Sequence, residues 1–184
     1  MRVIAGTRRS LPLKSLEGDT TRPTADRYKE TLFNVLQTDI PGCRFLDLFA
    51  GSGAIGIEAL SRGARHAVFV ENNRKAMAVI KENIHFTKFE DGSDLILSDA
   101  VSYVRSLPVV DFDVIFIDPP YNNGLEEAVL EILSSKKFRN PGVRIVVEAS
   151  LEQDFSFLEG TPFQIEKVKA YKTNKHLFIR LAED

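Results

Sequence analysis

Apolar positions along the chain follow two spacings that alternate. Tyr28, Leu32, Val35 and Leu36 fall at the i, i+4, i+7, i+8 spacing of one buried helix face, with Thr24 or Asp26 placed to cap that helix and Pro41-Gly42 to end it. Residues 44–49 then form a short β-rich run, 54–62 a helical stretch, 67–71 a second strand and 74–85 a second helix. Further strands are predicted at 94–97, 114–117 and 143–148, with helices at 101–106 and 125–134 between them. Such alternation builds βαβ units around a mostly parallel sheet, and the unbroken apolar run at 114–117 suits a strand buried on both faces. The end of the chain breaks the rhythm. Residues 163–170 and 175–181 are β-like runs joined by a polar turn too short for a helix, so they are expected to pair antiparallel.

With 184 residues the chain has room for one well-buried core, so a single α/β unit over 41–184 is expected, preceded by a basic extension and helix over 1–40. No apolar run approaches the roughly 20 residues of a membrane helix, and the first residues lack a signal-peptide pattern. A cytoplasmic monomer without membrane contact is expected. Cys43 is the only cysteine, and His66, His85 and His176 lack metal-ligand spacing, so all four read as structural and no metal is expected. The net charge of -2 argues against a polyanionic partner until its distribution is considered. Residues 1–29 hold seven basic side chains (Arg2, Arg8, Arg9, Lys14, Arg22, Arg27, Lys29) against three acidic ones. A basic arm on an acidic body can hold a polyanion locally, or can be a solvated tail, and charge alone leaves both open.

Candidate chemistry lies first at Asp47-Leu-Phe49-Ala-Gly51-Ser52-Gly53-Ala-Ile-Gly56, where a strand turns into a helix and glycines let backbone amides approach a ligand. Glu71, followed by Asn72, ends the next strand, where an acid can accept hydrogen bonds from both ribose hydroxyls. This pattern also satisfies the dinucleotide fingerprint of a nicotinamide enzyme. Asp47 separates the two, since a carboxylate near the cleft suits the cationic S-adenosylmethionine and repels a pyrophosphate. Asp99-Ala100 follows the third strand, where Asp99 can receive an adenine amino group or cap the next helix.

Asp118-Pro119-Pro120-Tyr121 directly follows the apolar strand at 114–117, at the carboxyl edge where open α/β sheets place ligands. Successive prolines stiffen the loop and leave its carbonyls free. The lone pair of an exocyclic base amine is delocalised into the ring. Acceptors on both its N–H groups, from the Asp118 side chain and the Pro119 carbonyl, favour pyramidal nitrogen and stabilise the charge that develops during methyl transfer. Tyr121 would stack on the base, a contact worth roughly 1–3 kcal/mol. Alignment of nitrogen, methyl and sulfur can offset on the order of 7–11 kcal/mol of barrier, so no covalent intermediate is required.

Three stretches, 22–34, 46–64 and 116–121, resemble the bacterial 16S-type ribosomal RNA guanine-N2 methyltransferases that carry an Asp/Asn-Pro-Pro-Tyr/Phe loop. The resemblance implies a Rossmann-like class I methyltransferase fold of seven mostly parallel strands with an antiparallel last strand, plus a short amino-terminal β-hairpin and helix. It implies S-adenosylmethionine as donor, bound by Asp47, Phe49, Gly51, Ser52, Gly53, Glu71, Asn72, Asp99, Ala100 and Asp118. It also implies small-subunit ribosomal RNA, or the assembling small subunit, as partner near the active-site mouth, with Arg8, Arg9, Arg22, Thr24 and Arg27 as candidate contacts. The chain departs from the family in having few glycines near its start and no Tyr-Gly turn within 169–175. The rival readings are amino-methylation of adenine N6 or of a protein amide, a nicotinamide-dependent oxidoreductase, and a non-catalytic RNA-binding module. The absence of room for a separate groove-reading domain weighs against a sequence-specific DNA enzyme.

Overall fold

Strand and helix alternate as the spacing of apolar residues requires. The structure is a computed structural model describing residues 1–16, 23–121 and 123–182, with the side chains of 23–25 outside that description. Its elements are α1 (Pro23–Val35), β1 (Arg44–Asp47), α2 (Ala54–Ser61), β2 (His66–Glu71), α3 (Arg74–Thr87), β3 (Ser93–Leu97), α4 (Ala100–Ser106), β4 (Val114–Ile117), α5 (Leu125–Ser134), β5 (Arg144–Ser150), β6 (Phe163–Ala170) and β7 (Asn174–Leu181). α1 begins at Pro23, ahead of both cap candidates, because proline lacks the N–H that a first helical turn leaves unpaired and its φ already suits the helix. Thr24 and Asp26 therefore lie inside the first turn. Among the described residues, no helix is long and apolar enough to cross a membrane.

The strands form one seven-stranded sheet in the order β3-β2-β1-β4-β5-β7-β6. The pairings from β3 through β5 are parallel, and β7 is antiparallel to both β5 and β6, as the short polar turn requires. Strand order reverses between β1 and β4, so a crevice opens where the carboxyl ends of these two strands diverge. β1 stops at Asp47, short of its expected end, because the chain then bends to hydrogen-bond both neighbours. Leu48 N donates to Phe116 O (3.0 Å) and Ala50 N to Val70 O (3.0 Å).

Alternate residues of the strands feed two cores. On one face Phe45, Phe69, Phe116 and Phe178 pack against α1, α2 and α3; on the other Leu46, Val68, Ile115 and Ile145 pack against α4 and α5. The first residues form a hairpin, with Val3 N to Leu11 O at 3.0 Å and Ser10 N to Val3 O at 2.8 Å. Val3 and Leu13 are buried in the same core as Leu32 and Phe45, so the extension covers one face of the sheet. Glu58 of α2 holds the hairpin down by accepting the amides of Ile4 (2.8 Å) and Ala5 (3.0 Å).

Candidate active site

The glycine loop is shaped by three close ties. Gly53 takes φ +80°, which favours glycine, to start α2. A Cβ at Gly56 would stand 2.3 Å from the Phe69 ring, so only glycine lets α2 lie this close to β2. Asp47, 1% exposed, accepts the Gly56 amide (3.1 Å), and Glu71 accepts the amides of Gly51 (2.8 Å) and Asn73 (2.8 Å). Both acids thus brace the loop from beneath. Each bonded carboxylate oxygen keeps a further lone pair. Burial pushes the Asp47 carboxyl up to about 7, with the nearby Glu71 charge adding to the rise against the pull of the Gly56 amide.

Above the loop lies a cavity of about 390 Å³, bordered by Asp47, Phe49, Gly51 and Ser52 on one side and by Asp118, Glu148 and His176 on the other. Phe49 also borders a second cavity of about 70 Å³ lined by Glu71, Asn72, Asp99 and Ala100. The residues singled out in the sequence for donor binding therefore fall around two adjoining hollows, apart from Gly53, whose part is to start α2. The capping alternative for Asp99 is realised, since its Oδ1 accepts the Ser102 amide (2.8 Å), which holds the carboxyl below its usual range. Asp99 also borders the smaller hollow, so capping and ligand contact are compatible. Lys29, which also borders the cavity, points away to Glu58 (3.4 Å) and the Arg2 carbonyl. A hollow walled by Asp47, Asp118 and Glu148 suits a ligand carrying positive charge and opposes a pyrophosphate.

Asp118 follows β4 directly and is half-buried, with no hydrogen-bond partner among the described residues. Pro119 is buried, whereas Pro120 and Tyr121 are exposed, and the Tyr121 hydroxyl donates to Glu148 Oε1 (3.0 Å). Glu148, on β5, also accepts from Asn174 and pairs with His176 Nε2 (3.0 Å), both on β7. Tyr171 stands 3.3 Å from the other His176 nitrogen. Burial drives Glu148 upward, but the bond and charge of His176, with those from Asn174 and Tyr121, outweigh it and leave its carboxyl below the usual range. Asp118 has no such donors. Burial, then the charges of Glu148 and Asp47, hold its carboxyl well above the usual range, so the negative charge of the pair sits on Glu148.

His176, read as structural from the sequence, borders the cavity through its pairing with Glu148, an acid to which the sequence assigned no role. A signal existed for Glu148: an acid ending an apolar strand beside Asp118, at the same carboxyl edge. His176 offered none, because its place depends on β7 pairing with β5 so that Glu148 faces it. Cys43 is buried and its thiol is pushed up to about 12, first by burial, which suits an inert side chain.

The arm's cations divide. Arg8 fastens the hairpin to the carboxyl end of α3: its Nε donates to Thr87 O (2.6 Å) and its guanidinium lies over Phe89. Arg9 is exposed on the same turn and borders neither cavity. Arg27 is exposed on α1 beside the cavity wall. Arg22 and the side chain of Thr24 lie outside the described residues.

A family model described as "Conserved hypothetical protein 95" matches residues 1–180. Relatives named "Ribosomal RNA small subunit methyltransferase D" are 35% identical in Haemophilus influenzae, over 83% of this chain and 80% of the relative, and 34% identical in Escherichia coli, over 83% and 76%. The solved structure of yhhF from Escherichia coli superposes with a TM-score of 0.87 at 30% identity, covering 98% of this chain and 97% of that one. A conserved protein from Streptococcus pyogenes superposes with a TM-score of 0.76 at 36% identity, over 84% and 95%. The fold is that of the class I methyltransferases, and the chain belongs to the conserved hypothetical protein 95 family together with the ribosomal RNA small subunit methyltransferase D proteins.

Proposed function

We propose that this protein transfers a methyl group from S-adenosylmethionine to the exocyclic N2 amine of a guanine in small-subunit ribosomal RNA. The observation that carries the reading is that Asp118, at the head of the Asp-Pro-Pro-Tyr loop, borders the same cavity as the amides of the glycine loop. The relatives' names supply the substrate class, and the resemblance at 22–34, 46–64 and 116–121 supplies the base.

The donor would provide an electrophilic methyl on a sulfonium, and the hollows fit it. Glu71 and Asn72 border the smaller one, where a ribose and base edge fit, while Asp47 and the loop amides border the larger, where a charged amino-acid tail fits. A cation sharing the cavity favours the ionised form of Asp118. Its carboxylate then accepts one N–H of the target amine while the Pro119 carbonyl accepts the other, and both acceptors stabilise positive charge growing on that nitrogen. Tyr121, held by Glu148 at its hydroxyl, offers its ring to the base. The test is nucleoside mass spectrometry of ribosomal RNA from cells lacking the gene, complemented with wild-type protein or with Asp118→Ala. N2-methylguanosine in small-subunit RNA is expected to fall on deletion and to return with wild type only, the variant losing on the order of 10²-fold or more in rate. Loss of methyladenosine instead would move the substrate to adenine N6, and an unchanged nucleoside profile would remove RNA from the reaction.

A further inference from the structure

The reaction cavity is bordered by the acids Asp26, Asp47, Asp118 and Glu148, and its lysine, Lys29, is tied to Glu58, so it is a poor place for a phosphate, yet every nucleotide brings one. The target base can enter this hollow as a neutral ring, but the phosphates beside it need a cationic place close by. One exists. A groove of about 520 Å³ runs between α1 and the β6–β7 turn, lined by Arg27, Tyr28, Lys169, Tyr171 and Lys172, and among the described residues no carboxylate lines it. Among the described residues, the side chains of Arg27, Lys169 and Lys172 take part in no ion pair or hydrogen bond. This groove meets the reaction cavity at Tyr28, which borders both. Tyr28 packs on Tyr171 with ring centroids 4.7 Å apart, and Tyr171 packs on His176 at 5.0 Å, so one aromatic wall runs from the groove to the pair that holds Tyr121. The turn itself is tight, with Tyr171 N bonded to Asn174 O at 2.8 Å, and this fixes Lys172 at its tip.

We propose that this groove holds the backbone of a single-stranded RNA segment flanking the target nucleotide, its phosphates on Arg27, Lys169 and Lys172 and a neighbouring base against the Tyr28–Tyr171 wall. This rests on RNA being the substrate. A base must leave its stack to reach the cavity, and a strand so splayed presents phosphates and one unstacked face, the two features the groove matches. The carboxy-terminal hairpin thus joins Arg27 of α1 in holding substrate. The test is fluorescence anisotropy with a labelled single-stranded RNA oligomer over a salt series. It uses wild type, the double variant Lys169→Gln/Lys172→Gln and the charge-keeping Lys169→Arg/Lys172→Arg, with S-adenosylhomocysteine binding measured on each. The Gln variant is expected to lose affinity on the order of tenfold and to flatten the logarithmic salt slope by about 0.7 per lost contact, while the Arg variant and donor binding hold. Unchanged affinity and slope in the Gln variant, or no binding of the oligomer by wild type, overturns the groove. A preference for duplex over single strand overturns the splayed-strand assignment. Nucleoside analysis of wild-type reaction products stands apart: failure there removes the methylation reading, whereas these binding measurements judge the groove.

Discussion

In the proposed reaction Asp47 and Asp118 tie donor affinity to pH through ordinary electrostatics. Burial raises Asp47 to about 7 and Asp118 well above its usual range, so both ionise less readily than ordinary carboxyls and a cation in the cavity favours their charged forms. A carboxyl raised by folding stabilises the fold most at low pH, and that contribution is lost as pH rises from the ordinary carboxylate range through about 7. For a cationic ligand the sign is reversed, because the ionised cavity binds it best. Affinity for S-adenosylmethionine is therefore expected to fall as pH drops from about 8 to about 6, by up to about tenfold per unit for each proton displaced. S-Adenosylhomocysteine, lacking the sulfonium charge, should fall less. Calorimetric titration of both ligands across that range measures the difference, and parallel pH profiles would take the two carboxylates out of sulfonium recognition.

At the scale of elements, α2 is fixed by one buried acid. Glu58 is fully buried, and beyond the Ile4 and Ala5 amides it meets Arg62 Nε at 2.8 Å and Lys29 Nζ at 3.4 Å, so a single carboxylate joins the hairpin, α1 and α2. Glu58→Ala leaves Lys29 buried beside two unpaired amides, and urea unfolding is expected to show a loss of about 3–5 kcal/mol. A loss below about 1 kcal/mol would mean the charged cluster barely offsets its own desolvation. Elements of this kind were legible in the sequence where local chemistry sets them: β4 and α5 fall on the predicted residues because an apolar run and a Gly124 start bound them. The start of α1 was misjudged because Pro23 outweighed two polar caps. The glycine loop and Asp118 were legible because each sits within one βα junction. The Glu148–His176 pair was not, because it exists only when two strands 28 residues apart pair in one register. A long-range register has no local signature.

On the scale of the whole molecule, charge and packing are distributed differently. Positive charge is concentrated in the first 29 residues, whereas the apolar residues of that segment do not stand apart. Val3, Leu13, Leu32, Phe33 and Leu36 share one core with Phe45, Phe69 and Ile80 of the sheet and its helices. A boundary near residue 40 therefore marks a change in surface chemistry without a matching break in the core, and we propose that residues 1–40 and 41–184 fold as one cooperative unit. Removing the extension would expose the sheet face that Phe33 and Leu36 cover and leave Glu58 as a buried acid without Lys29. Scanning calorimetry of the full chain is expected to give one transition with a calorimetric-to-van't Hoff enthalpy ratio of about 1, and a chain beginning at residue 41 is expected not to fold. Two resolved transitions, or a stable truncated domain, would make the extension an appendage that docks after folding. Substrate affinity could then be tuned by detaching it, whereas in a single cooperative unit Arg27 stays fixed beside the cavity for as long as the protein is folded.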